Sequence, residues 1–164
     1  MLFKYLTKQF YINFTVIISI ILLDRISKIF VVDWNKKNEG QDLYSSEFLN
    51  INLIWNEGIA FGLLSFDRIN LYNILTSIIS IVILIIFIMI LRTKGIKKYS
   101  LCMIFGGAIG NLIDRIYYRA VPDFFDFHVG NFHWFIFNVA DIFISLGVIF
   151  MILSELIGNT KVRE

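Results

Sequence analysis

The chain has 164 residues, of which 57% are hydrophobic and only 17% charged, and its mean hydropathy is +0.72. Soluble domains carry roughly 25% charged residues, so this composition excludes an ordinary soluble domain and points to a membrane protein with room for one domain. A net charge of +2 argues against a nucleic-acid partner, and the single cysteine, Cys102, excludes an intramolecular disulfide and any CxxC or Cys/His zinc pattern.

Four apolar segments approach the roughly 20 residues that a helix needs to cross a hydrocarbon core. The first, residues 10–32, follows Lys4 and Lys8 and contains Asp24, Arg25 and Lys28. It has the basic start of a secretory signal peptide, but no small-x-small cleavage site follows, so an uncleaved helix is the better reading. The second, residues 71–91, is the most apolar and reads as scaffold. The third, residues 99–118, holds Cys102 as a packing residue, the glycines of "GGAIG" (106, 107 and 110), and then Asn111, Asp114 and Arg115. The fourth, residues 138–157, opens on "NVAD", with Asn138 and Asp141 at its start.

Basic residues near the segment ends set orientation. With both termini and the "RTKGIKK" loop on the cytoplasmic side, Lys4, Lys8, Arg92, Lys94, Lys97, Lys98, Lys161 and Arg163 all fall inside. Residues 33–70 and 119–137 then form two external loops. The first of these contains "EFLNINLIWN", whose alternation predicts short strands, and reads as a small β-element on the outer surface. Trp34, Trp55, Phe61, Phe66 and Trp134 suit anchoring at the headgroup level. His128 and His133 have no partners at metal-ligand spacing, and no metal or cofactor is expected.

At 1.5 Å of rise per residue, Asp24 lies roughly 21 Å and Asn111 roughly 18 Å from the inner ends of their helices. Asn138 and Asp141 start the fourth helix from the outside, so three helices carry polar groups at a similar depth in the outer half. Within each helix these groups sit three or four residues apart, on one stripe. Each has a plain alternative. Asp24 and Lys28 can be a neutralising pair, Asn138 an N-cap with Asp141 in the first turn, and the glycines a packing face. None of these explains why the stripes coincide, and ionisable groups at such depth normally face a bundle interior and mark a site.

Five pieces, in order and over nearly the whole chain, carry a resemblance: "DRISK" (24–28), "NEGIAF" (56–61), "GGAIGNLIDR" (106–115), "VPDFFDF" (121–127) and "FNVAD" (137–141). Together the chain resembles the lipoprotein signal peptidases, or signal peptidase II, which are four-helix aspartic proteases of the bacterial inner membrane. The resemblance implies an all-α membrane fold with four transmembrane helices and a small β-element in the first external loop. It places a catalytic dyad on Asp123 and Asp141, with Asn111, Arg115 and Asn138 around it. Asn56 falls on a substrate-contacting position, Asp24 and Lys28 on positions that act through structure and orientation, and Gly107 and Asp114 within the supporting motif. Pro122 departs from the aliphatic residue expected before the first aspartate, and its ring should stiffen that approach. Asp126 is expected to be a solvated loop residue.

The implied substrate is a prolipoprotein with a diacylglyceryl-modified cysteine, cut on the N-terminal side of that cysteine. Membrane lipids are the other expected partners, and nothing requires a second subunit. Two carboxylates that share one proton suit hydrolysis by activated water, since the chain offers no Cys/His pair. A proton- or ion-coupled transporter using Asp24, Lys28, Asp114 and Asp141, or a structural subunit assembled through the glycines, are the competing readings.

Overall fold

The computed structural model describes residues 7–58 and 68–160. Four helices, α1 (Lys8–Lys37), α2 (Arg68–Arg92), α3 (Ile96–Tyr118) and α4 (Val139–Thr160), are accompanied by four strands, β1 (Tyr44–Ser45), β2 (Leu49–Asn56), β3 (Val121–Val129) and β4 (Phe132–Phe137). Thr7 caps α1 by accepting from the Phe10 amide, and α1 runs on past residue 32 to Lys37, where two lysines in the last turn suit the negative end of the helix dipole. Two stretches, Asn70–Arg92 and Val139–Ile157, are long and apolar enough to cross a membrane. Of the other two long helices, α1 carries Asp24, Arg25 and Lys28 in its interior and α3 carries Asp114 and Arg115 near its C-terminal end. Side chains along α2 such as Ile74, Ile78, Ile81 and Leu84 point outward, as on a surface made for lipid.

Helix α3 packs against each of the other three helices. Its small residues are what bring α1 and α4 so close. A Cβ on Gly106 would come within 3.1 Å of Ile20 on α1, one on Gly110 within 2.6 Å of the Asp24 carboxylate, and one on Gly107 within 2.5 Å of the Ala140 carbonyl on α4. Gly147 on α4 returns the contact, lying against the Ser100 carbonyl and Ile104 of α3. Helix faces this close place backbone and polar groups of α1, α3 and α4 within hydrogen-bonding reach. Cys102 is wholly buried, beside Leu101 and Ile90, in keeping with a packing role.

The β-element is larger than expected. Residues 119–137, read as a loop, form β3 and β4, and the sheet is antiparallel in the order β1-β2-β3-β4. Alternation was masked there because apolar residues, most of them aromatic, occupy both faces of the hairpin: Phe127, Val129, Phe132, Trp134 and Phe135 are all exposed. Pro122 fits inside β3 because it pairs only with Trp55 of β2, while pairing to β4 begins at Phe125. The β2–β3 register shifts between Ile51 and Ile54, directly beside the partner of Asp123. Such bulges re-aim the side chains next to them. Of the expected interfacial aromatics, Trp34, Trp55 and Trp134 are exposed, whereas Phe61 and Phe66 lie outside the described residues.

Asp126 also departs from expectation. It is buried on β3, and both of its oxygens contact His133 Nδ1, at 2.9 and 2.8 Å. The pair ties β4 to β3 through a carboxylate that has left water. Replacing His133 with alanine removes that partner, which costs about 1–3 kcal/mol for a buried polar group. We expect His133→Ala to melt at lower temperature than wild type while keeping its helical circular dichroism.

Candidate active site

Asn138 stands immediately before α4 and makes a reciprocal cap with Asp141. The Asp141 amide donates to Asn138 Oδ1 (3.2 Å), and the Asn138 amide donates to Asp141 Oδ2 (3.1 Å). The same asparagine reaches the sheet, where its Nδ2 donates to Asp123 Oδ1 at 2.6 Å. One buried residue therefore holds both aspartates, one on β3 and one in the first turn of α4. Asn138 is thus the cap of α4 and, through the same side chain, a donor to Asp123.

Each carboxylate has a second donor. Asn111 on α3 donates from Nδ2 to Asp141 Oδ1 at 2.8 Å, and Asn56, the last residue of β2, donates from Nδ2 to Asp123 Oδ2 at 2.8 Å. Asn56 also accepts from the Gly58 amide (2.8 Å), where Gly58 takes a positive φ of 74° that an L side chain would strain. Beside Asp123 opens a cavity of about 620 Å³ lined by Ile54, Trp55, Asn56, Glu57, Gly58 and Ile136. Asp123 is thus buried yet faces a space large enough for a short stretch of chain.

Beneath the carboxylates lies an ion cluster. Lys28 Nζ contacts Asp24 (2.8 Å to Oδ1), Asp114 Oδ2 (2.6 Å) and Asn111 Oδ1 (2.8 Å). Arg25 contacts Asp114 Oδ1 (2.6 Å) and Asp24 Oδ2 (3.1 Å). Asp24 and Asp114 are fully buried and Lys28 nearly so, so this is no surface pair. Asp24 Oδ1 further accepts from the Ala140 amide at 3.1 Å, which fixes the start of α4 against α1.

A family model described as signal peptidase II matches residues 16–157. The chain belongs to the signal peptidase II family. It is 47% identical over 154 residues to the lipoprotein signal peptidase of Pelagibacter ubique, covering 94% of this chain and 93% of that protein. The lipoprotein signal peptidase of Anaplasma marginale is 34% identical, with 88% and 84% covered. Two solved structures, both described as bacterial membrane enzymes, superpose with TM-scores of 0.66 at 28% and 27% identity, covering 88% and 91% of this chain and 92% and 90% of theirs. Signal peptidase II is a peptidase family, so this chain is a membrane peptidase of prolipoproteins.

Of the residues singled out from the resemblance to signal peptidase II, Asn56, Asn111, Asp123, Asn138 and Asp141 form one hydrogen-bonded set, joined to Asp24, Lys28 and Asp114 through Asn111. Arg115 stands apart. Its guanidinium lies under Gly58, and among the described residues its buried Nη1 has no hydrogen-bond partner and none of its bonds reaches Asp123 or Asp141. Gly107 serves the site only through the close α3–α4 approach. Arg25, placed in the cluster by the structure, was passed over in the sequence. Its signal was an odd second cation next to Asp24 in an apolar helix.

Burial pushes the Asp123 carboxyl up to about 6, and the nearby Asp141 charge adds to this, while the Asn56 and Asn138 bonds and Lys28 oppose it. A carboxyl raised above its ordinary value binds its proton more tightly when folded. The stability it contributes is full below its unfolded value, near 3.8, and is lost as pH rises through about 6. Accordingly, wild-type thermal stability should fall between these pH values more steeply than that of Asp123→Asn, as read from melting curves across the range.

Proposed function

We propose that the chain is an intramembrane aspartic endopeptidase that removes the signal peptide of diacylglyceryl-modified prolipoproteins, with Asp123 and Asp141 as its catalytic pair. The observation that carries this reading is that Asn138 bonds both carboxylates at once. Four spans with both termini inside set this pair in the outer half of the membrane. Support for that placement comes from the basic residues at the inner ends and from the paired polar stripes of α1, α3 and α4. A signal peptide is itself a membrane helix whose cleavage point lies near the outer interface, so its scissile bond would meet the pair without leaving the bilayer.

The chemistry needs one ionised and one protonated carboxyl, which close carboxylates adopt because both do not ionise easily. The ionised group takes a proton from water as the water oxygen attacks the peptide carbonyl carbon, and the acid gives its proton to the carbonyl oxygen. In the resulting gem-diol the C–N bond then breaks. The amine takes the proton held by the first carboxyl, and one diol hydroxyl returns a proton to the second, restoring both groups. Asn56 at the cavity rim is placed to meet substrate as well as Asp123, and Nη1 of Arg115, without a partner among the described residues, is a donor for a substrate carbonyl.

The transporter alternative gains nothing from the geometry, since among the described residues Asp24, Arg25, Lys28 and Asp114 pair with one another in one cluster, linked to Asp141 by Asn111, rather than being strung along a path.

With purified protein and a synthetic diacylglyceryl prolipoprotein, Asp123→Asn and Asp141→Asn should each lose cleavage by at least about 100-fold while retaining the fold. Near-wild-type activity in either would remove it from the pair. The same assay with the substrate lacking its diacylglyceryl group should run far more slowly, and equal rates would contradict the lipid requirement.

A further inference from the structure

The two aspartates are not equivalently supported. Asp123 receives two neutral amide donors, Asn56 and Asn138, neither of which has a cation behind it. Asp141 receives the Asn138 backbone amide and Asn111 Nδ2, and the other end of the Asn111 amide is held by the Lys28 ammonium at 2.8 Å. That contact leaves Asn111 only one orientation. Turned over, its NH₂ would face an ammonium and its oxygen a carboxylate, two repulsions in place of two bonds. An ammonium on the amide oxygen also polarises the NH₂ group, which strengthens its bond to Asp141. Lys28 is itself immobile, since Asp24 and Asp114 hold it from two helices.

We propose that Lys28, acting through the fixed amide of Asn111, makes Asp141 the carboxylate that takes the proton from water and Asp123 the acid that starts with the proton. The inference rests on the two-aspartate reading above and adds to it a direction. Lys28 is on this view a positioning residue that touches neither substrate nor water. Its charge also acts through space on Asp123, against the burial that raises it, but the bonded line runs to Asp141 alone: ammonium, amide oxygen, amide NH₂, carboxylate. The other charged groups around that line are Asp24 and Arg25 on α1, Asp114 and Arg115 on α3, and Asp123 on β3, with Glu57 at the cavity mouth. Burial of Asp123, which favours its protonated form, acts in the same sense.

The test is the pH profile of kcat with the diacylglyceryl substrate. Removing Lys28 alone would leave buried acids unbalanced, so the variant is the double change Lys28→Met with Asp114→Asn, which deletes one charge of each sign. A second variant, Asn111→Ser, cuts the line while leaving the ion cluster whole. In both, the base loses the support that keeps it ionised. The limb on which activity falls with acid should therefore move to higher pH by about one unit, with kcat reduced about tenfold or more and KM little changed. Either folded variant showing the wild-type limb and kcat would overturn the inference. Asp123→Asn and Asp141→Asn run alongside separate the two levels. If they cleave, the two-aspartate reading fails. If they are inactive and the limb does not move, only the relay fails.

Discussion

A lysine ammonium buried inside an apolar helix bundle is costly unless its charge is balanced and its protons are bonded. Lys28 meets both conditions by gathering Asp24 from its own helix and Asp114 and Asn111 from α3, and Arg25 adds the second cation that makes the cluster neutral. The helices have little choice of position once this is satisfied. Asp24 also holds the first turn of α4 through the Ala140 amide, so the cluster fixes three helices against one another. The glycines of α3 allow it, because a methyl group at position 110 would occupy the place of the Asp24 carboxylate.

The sheet completes what the bundle begins. Asp141 comes from a helix start and Asp123 from a strand, and the two are held together by Asn138, a residue that is at once the cap of α4 and the end of the connection from β4. The bulge in β2 beside Asp123 and the buried Asp126–His133 contact further along β3 hold that strand in its register. Family membership establishes a prolipoprotein peptidase, and these contacts supply a physical basis for the proposed chemistry: two carboxyls, each with two donors, beside a cavity open to an extended chain.

Much of the site was legible in the sequence because burying charge in apolar helices leaves a conspicuous mark. Asp24, Lys28, Asn111, Asp114 and Asp141 stand out against aliphatic neighbours, and their spacing puts each helix's share on one stripe. Asp123 stood out only through the resemblance, since on composition it resembles Asp126 three residues on. The two differ in what the fold offers them: Asp123 meets asparagines and a cavity, Asp126 a histidine brought across the hairpin. Strands β3 and β4 were missed because a hairpin with aromatic residues on both faces shows no period of two. The extension of α1 to Lys37 was missed because its last turns are polar, and hydropathy marks where a helix stops being apolar, not where it stops being a helix.

The central claim is that Asp123 and Asp141 share a single proton at rest. Infrared spectroscopy of the purified protein reads protonated carboxyl groups directly through their C=O stretch. At about pH 5 the account predicts a carboxylic-acid band that is lost on raising the pH to about 8 and is absent from Asp123→Asn. No such band in the wild type, or a band that Asp123→Asn leaves unchanged, would contradict it.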